Sequence, residues 1–109
     1  MSVIQNFEAM LARGQDSALL RYGLGNAYLN QADPNAAIPH LAEAVRLDPG
    51  YSAAWKLYGK ALAAAGDHAA AVAALGQGIA TAEAKGDVQA AREMQVFLKR
   101  AQKALDGPP

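Results

Sequence analysis

A displacement of 34 residues brings this chain into register with itself, and that repeat constrains the fold more than any other feature of the sequence. Under the shift Gly25 falls on Gly59, Ala27 on Ala61, Asp33 on Asp67, Ala36 on Ala70, Ala37 on Ala71 and Leu41 on Leu75. Ile38 and Val72, and Val45 and Ile79, match in kind. A period of about 20–50 residues marks supersecondary units that cannot bury an apolar face alone and must stack on their neighbours. A chain of 109 residues then makes one domain, extended along a single axis.

The composition says what the units are made of. Apolar residues form 52% of the chain but aromatics only 6%, so alanine carries much of the apolar fraction. Alanine costs least in a helix and lets helix backbones approach closely. Local signals divide the sequence into six helices with no strand. Gly14 with Asp16, Asp33-Pro34, Asp48-Pro49-Gly50, Gly66-Asp67 and Gly86-Asp87 each join a helix stopper to a residue suited to cap the next helix. Pro39 falls inside the third helix, near enough to its start to kink it without breaking it.

The repeated residues have a recognisable spacing. The first copy reads Arg21-x2-Leu24-Gly25-x2-Tyr28, then Ala37-x3-Leu41, then Pro49. The second reads Trp55-x2-Tyr58-Gly59-x2-Leu62, then Ala71-x3-Leu75. These follow the pattern W-x2-L-G-x2-Y, A-x3-F, P, and the chain resembles the tetratricopeptide repeat (TPR) family. It departs from the pattern in two places. Arg21 replaces the first tryptophan, and Glu83 stands where a closing proline would end the second copy, which lets that helix run on toward Ala84.

The resemblance implies an all-α fold, a short TPR-like α-solenoid of about six antiparallel helices over residues 1–109. Residues 2–15 form a leading half-repeat helix, 16–49 and 50–85 two full repeats, 86–106 a capping helix and 107–109 a tail. Val3, Phe7 and Met10 take second-helix positions in the leading half. After Gly86, one inserted residue aligns Ala90, Met94, Phe97, Ala101 and Leu105 as an apolar stripe, with Lys99, Arg100 and Lys103 on the opposite face. Gly25 and Gly59 occupy the small-residue position, where the two helices of one hairpin come closest. Gly23 lies on another face, open to a partner.

Catalytic chemistry is not expected. The Gly23-Leu24-Gly25 run lacks the third glycine of a dinucleotide loop, since that position is Tyr28, and no Gly-Lys-Ser/Thr triplet occurs. His40 and His68 have no Asp, Glu or His one turn on and read as surface histidines. Ser2, Ser17, Ser52 and Thr81 sit in no nucleophile motif, and Ser17 and Ser52 read as helix-start residues. Asp33, Asp67 and Asp87 recur at helix starts and read as caps. Without cysteine there is no disulfide, thiol nucleophile or Cys-ligated zinc. No catalytic residue, metal ligand or cofactor is therefore assigned.

Ten basic and ten acidic residues cancel, which leaves no global field for nucleic acid or an acidic membrane. The basic trio Lys99, Arg100 and Lys103 has no aromatic platform beside it and reads as a solvated cap face. The longest apolar run, residues 69–75, falls far short of the ~20 residues that cross a bilayer. The first ten residues lack the pattern of a secretory signal, so the expected setting is the cytoplasm.

What remains is binding. In TPR proteins the first helices of the repeats line a concave groove that holds a partner's peptide or helix. The groove positions correspond here to Leu19, Tyr22, Asn26, Leu29 and Asn30, and to Ala53, Lys56, Lys60, Ala63 and Ala64. Of these, Tyr22, Asn26, Leu29, Asn30, Lys56 and Lys60 are the candidate peptide-binding residues. Asn26 would grip a peptide backbone, Lys56 and Lys60 would hold a carboxylate, and Tyr22 would offer a flat apolar contact. Of the carboxylate clamp that some TPR domains use, only Asn26 matches by position, so chaperone binding is not expected. The expected function is a protein-protein interaction module with another protein as partner. The alternative is a structural homo-oligomer assembled through terminal helices, driven by Phe97 or Leu98 on an open edge.

Overall fold

In a computed structural model the chain is described over residues 2–107, and it is helical from end to end. The elements are α1 (Val3–Ala12), α2 (Ala18–Asn30), α3 (Pro34–Leu47), α4 (Ser52–Ala64), α5 (His68–Ala84) and α6 (Val88–Asp106), with no strand among the described residues. Each start has a local cause. The Ser2 hydroxyl accepts from Gln5 N while the Gln5 side chain accepts from Ser2 N, a reciprocal capping box on α1. Ser17 caps α2, and Asp33, Asp67 and Asp87 cap α3, α5 and α6, each accepting from the backbone N–H three residues on. Asp16 does not cap. Its carboxylate is held by Arg21 instead. Ser52 opens α4 as its first residue, but the cap position is Tyr51 and no side chain bonds there.

Helix ends repeat as well. Gly14, Gly66 and Gly86 take φ of 81°, 87° and 74°, a left-handed turn that spares glycine the Cβ clash other residues meet. Ala32, the counterpart of Gly66 in the first copy, adopts the same turn at φ 56° and bears the strain of it.

Packing then fixes the stack. Leu24, Leu41, Leu75 and Met94 are fully buried, one from each of α2, α3, α5 and α6. Gly25 faces Leu41, and Gly59 faces Leu75, where an added Cβ would lie 2.5 Å from the Leu75 branch carbon. These glycines are the close-approach points expected of them. Gly23 is not open: a Cβ there would meet the Phe7 ring at 2.9 Å, because α1 packs over it. In the next layer Gly78 serves the same purpose, lying beneath Met94 and Trp55.

The helix starts at Ser17, Tyr51 and Asp87 lie 34 and then 36 residues apart, so two residues, not one, separate the capping helix from strict register. The cause is α5, 17 residues long against 14 for α3, which ends before Asp48-Pro49-Gly50 while α5 has no such stop. Gln95 thereby falls where Gly25 and Gly59 stand, and it is exposed because no described helix follows to pack on it. Of the expected stripe, Met94 and Ala101 are buried and Ala90 and Phe97 pack against the core, whereas Leu105 is 52% exposed.

The backbones of α2 and α4 touch, as do those of α4 and α6, while α3 and α5 do not approach each other. Helices that touch in one layer and part in the other make a curved stack, with α2, α4 and α6 on its concave side. The molecule measures 45 × 35 × 18 Å along its principal axes, a shallow curved slab.

Candidate functional site

The concave layer carries the six candidate residues, but it divides them among separate environments. Tyr22 stacks on Tyr51 with ring centroids 5.0 Å apart and packs beside Ala44, Val45 and Ala54. Burial raises the Tyr51 phenol above its ordinary pKa. Leu29 packs against Ala37, Leu41, Leu57 and Ala61 and so contributes to the core between repeats. Asn26 and Asn30 are exposed and line a depression between α1 and α2, together with Ile4, Phe7 and Gln31.

Lys56 and Lys60, one turn apart on α4, do not act as a pair of free ammonium groups. Lys56 Nζ donates to Glu93 Oε2 at 2.8 Å across to α6. That bond holds the Glu93 carboxyl below its usual range. Lys60 turns instead over the Phe97 ring, 5.3 Å from its centroid, and Arg100 approaches the same ring with Cζ at 5.6 Å. Both fall inside the ~6 Å reach of a cation-π contact.

Between α4, the start of α5 and α6 lies a cavity of about 240 Å³. Gly59, Ala63, Phe97 and Ala101 give it apolar walls, and Lys60, Arg100 and His68 give it polar ones. The His68 Nδ1 is buried with no hydrogen-bond partner. Glu93, Phe97 and Arg100 were not read from sequence as neighbours of Lys56 and Lys60, because the register of α6 was displaced. The signal that recovers them is Asp87, the third of the capping aspartates, which sets α6 beside α4.

Neither histidine is the exposed surface residue expected from sequence; both are partly buried. His40 is half-buried where α1, α2 and α3 meet, stacked on Tyr28 at 5.7 Å with the rings 2° from parallel. Arg21 Nη1 lies 3.1 Å from His40 Nδ1 and can only donate, so Nδ1 accepts and Nε2 bears the proton. That proton faces Glu8 Oε1, 3.6 Å away, which also accepts from the Tyr28 hydroxyl at 3.0 Å. Burial lowers the His40 pKa, and the hydrogen bond to Glu8 raises that of Tyr28. Arg21, which stands where the repeat pattern has tryptophan, thus bridges Asp16 and His40. The hydrogen bond from Arg21 holds Asp16 below its ordinary pKa.

Among the described residues no three His, Asp or Glu side chains gather to hold a metal ion, and no helix is long and apolar enough to cross a membrane. Phe97 and Leu98, the residues expected to drive self-association, both pack against the cluster of Leu75, Ile79, Ala82, Ala91 and Met94. The large apolar side chains that α6 leaves exposed are Val88, Val96 and Leu105.

Known proteins are similar to this chain in repeat and in fold. The family model for the tetratricopeptide repeat matches residues 4–50 and 22–88. A TPR repeat-containing protein of Pseudomonas aeruginosa is 53% identical over 102 residues, which cover 94% of this chain and 97% of that protein. The solution structure of a Bordetella parapertussis protein superposes with a TM-score of 0.80 at 45% identity, covering 96% of this chain and 93% of the other.

Proposed function

The chain belongs to the tetratricopeptide repeat family, and on that premise we propose that it is a non-enzymatic binding module whose concave groove receives a segment of another protein. TPR repeats mediate protein-protein interaction. The observation that supports the groove here is the line of contact along α2, α4 and α6. At one end are the exposed amides of Asn26 and Asn30, suited to a peptide backbone. At the other is the cavity beside Lys60 and Arg100. The Lys56–Glu93 bridge lies between, so the groove is read by amides and by the second lysine, with Lys56 tying the first helices together.

The test is a paired capture from an extract of the cells that make the chain. The baits are the wild type and Asn30→Arg/Lys60→Glu, both exposed positions, with helicity compared by circular dichroism. A protein held by the wild type and released by the variant supports the groove. Equal retention by both baits, or capture of the chain's own copies alone, would sink it.

A further inference from the structure

The joint between α1 and the rest of the stack differs in kind from those between the other helices. No residue of α1 is buried, whereas each of α2 to α6 buries at least three. Among the described residues the backbone of α1 approaches that of α2 alone. It is held there in part by the Phe7 ring over Gly23 and by the Glu8 carboxylate, which accepts from Tyr28 and faces His40. An element with so few buried apolar contacts is the one whose local opening costs least.

His40 stands at that joint among charged and titratable groups from three segments. Arg21 and Tyr28 come from α2, Glu8 from α1, and Asp16 from the turn between those helices. The neutral imidazole suits its neighbours, accepting from Arg21 at Nδ1 and presenting its Nε2 proton to Glu8. A second proton, on Nδ1, leaves Arg21 without an acceptor and sets an imidazolium 3.1 Å from a guanidinium. Arg21 is not free to retreat, because its Nε and Nη2 hold the two oxygens of Asp16 at 2.8 and 3.1 Å. Glu8 and Asp16 attract the new charge, but both side chains are more than a third exposed and water screens them. Burial is the largest influence on this ring and also opposes its charge. Water reaches the imidazolium at least cost if α1 moves off, since Leu20, Leu24, Ala37 and Leu41 tie α2 and α3 into the core.

We propose that His40 is a proton-operated latch for α1: neutral, it links Glu8 to Arg21 and keeps α1 on the stack; protonated, it lets α1 swing away while α2 to α6 stay folded. The latch belongs to this junction. One repeat on, the positions of Glu8, Arg21 and His40 hold Ala42, Trp55 and Ala74. The inference does not depend on what the groove binds. It has a consequence for the groove, however, because Ile4 and Phe7 of α1 line the depression at Asn26 and Asn30, and release of α1 dismantles it.

The test is hydrogen exchange of the full chain, ¹⁵N-labelled, between pH 7 and 5.5, with each rate compared with the intrinsic rate at the same pH to give a protection factor. Opening that takes up one proton grows at most tenfold per pH unit. Protection of the amides of residues 7–12 is expected to fall several-fold across this range. At every pH it should also lie well below that of α4 and α5, the mark of a helix that opens without unfolding the rest. His40→Gln, uncharged throughout, should abolish the fall. The chain has two histidines, so His68→Gln is the control and should retain it, which keeps the test decisive even if His40→Gln does not fold. Protection of α1 that holds steady or rises as pH falls would overturn the latch. So would equal protection in α1 and α5, a fall that survives in His40→Gln, or one that disappears in His68→Gln.

Discussion

Gly59→Ala and Gly76→Ala make the same chemical change in adjacent helices, and the structure assigns them opposite signs. In a helix interior, alanine is favoured over glycine by up to about 1 kcal/mol. At Gly76 nothing lies within 4 Å of the new Cβ, so that gain is realised, at about 0.5–1 kcal/mol. At Gly59 the Cβ would lie 2.5 Å from both the branch carbon and one methyl of Leu75, which is fully buried, and a branch carbon cannot swing aside as the far end of a flexible side chain can. Overpacking of this kind costs about 1–3 kcal/mol, and contact with three Leu75 atoms points to the upper end of that range. Subtracting the propensity gain leaves a net loss of about 1–2 kcal/mol. For a domain of this size each kcal/mol moves Tm by roughly 4–8 °C, so Gly59→Ala should melt roughly 5–15 °C lower and Gly76→Ala a few degrees higher. Thermal unfolding followed at 222 nm reads both. A double-mutant cycle isolates the contact: combined with Leu75→Val, Gly59→Ala should cost about 1 kcal/mol less than the two singles summed. If Gly59→Ala melted at or above the wild type, the close approach of α4 and α5 would not rest on the missing side chain, and the reasoning would fail.

Two further outcomes follow from other features of the fold. Burial lowers the His40 pKa, so the unfolded chain takes up a proton that the folded chain refuses. Stability contributed by neutral His40 is therefore present above the ordinary value of about 6.5 and lost as pH falls below it. The urea midpoint should drop between about pH 7 and 5.5 in the wild type and drop less in His40→Gln; identical profiles would refute the assignment. Ala32→Gly should stabilise the chain by about 0.5–1 kcal/mol. That is the roughly 1–2 kcal/mol cost of left-handed alanine, less the roughly 0.4–1 kcal/mol that glycine adds to unfolded-chain entropy. A fall in the denaturant midpoint would show that the φ of 56° is not strained.

The architecture was legible where the signal is local and repeated. Asp33, Asp67 and Asp87 cap helices because a short carboxylate reaches the backbone three residues on, and the 34-residue coincidence of Gly25 with Gly59 marks a packing role that the structure bears out at Leu41 and Leu75. The capping helix was less legible. Its register depends on where α5 ends, and without a proline after Glu83 the sequence contains no stop sharp enough to place it.

The site was only partly legible. Lys56 and Lys60 look alike on one helix face, yet one is bound to Glu93, 37 residues away, and the other lies over Phe97. His40 shows the same limit: alone it reads as a surface residue, while in the fold it links Arg21 with Glu8. Sequence alone determined the helices, the recurring aspartate caps and the small residues at which the helices approach, because those depend on neighbours within a turn or on a fixed repeat. Only the tertiary structure decided which charges are paired and which stand free at the cavity. Those partners come from different helices, and the stacking that joins them is set by packing rather than by the charges themselves.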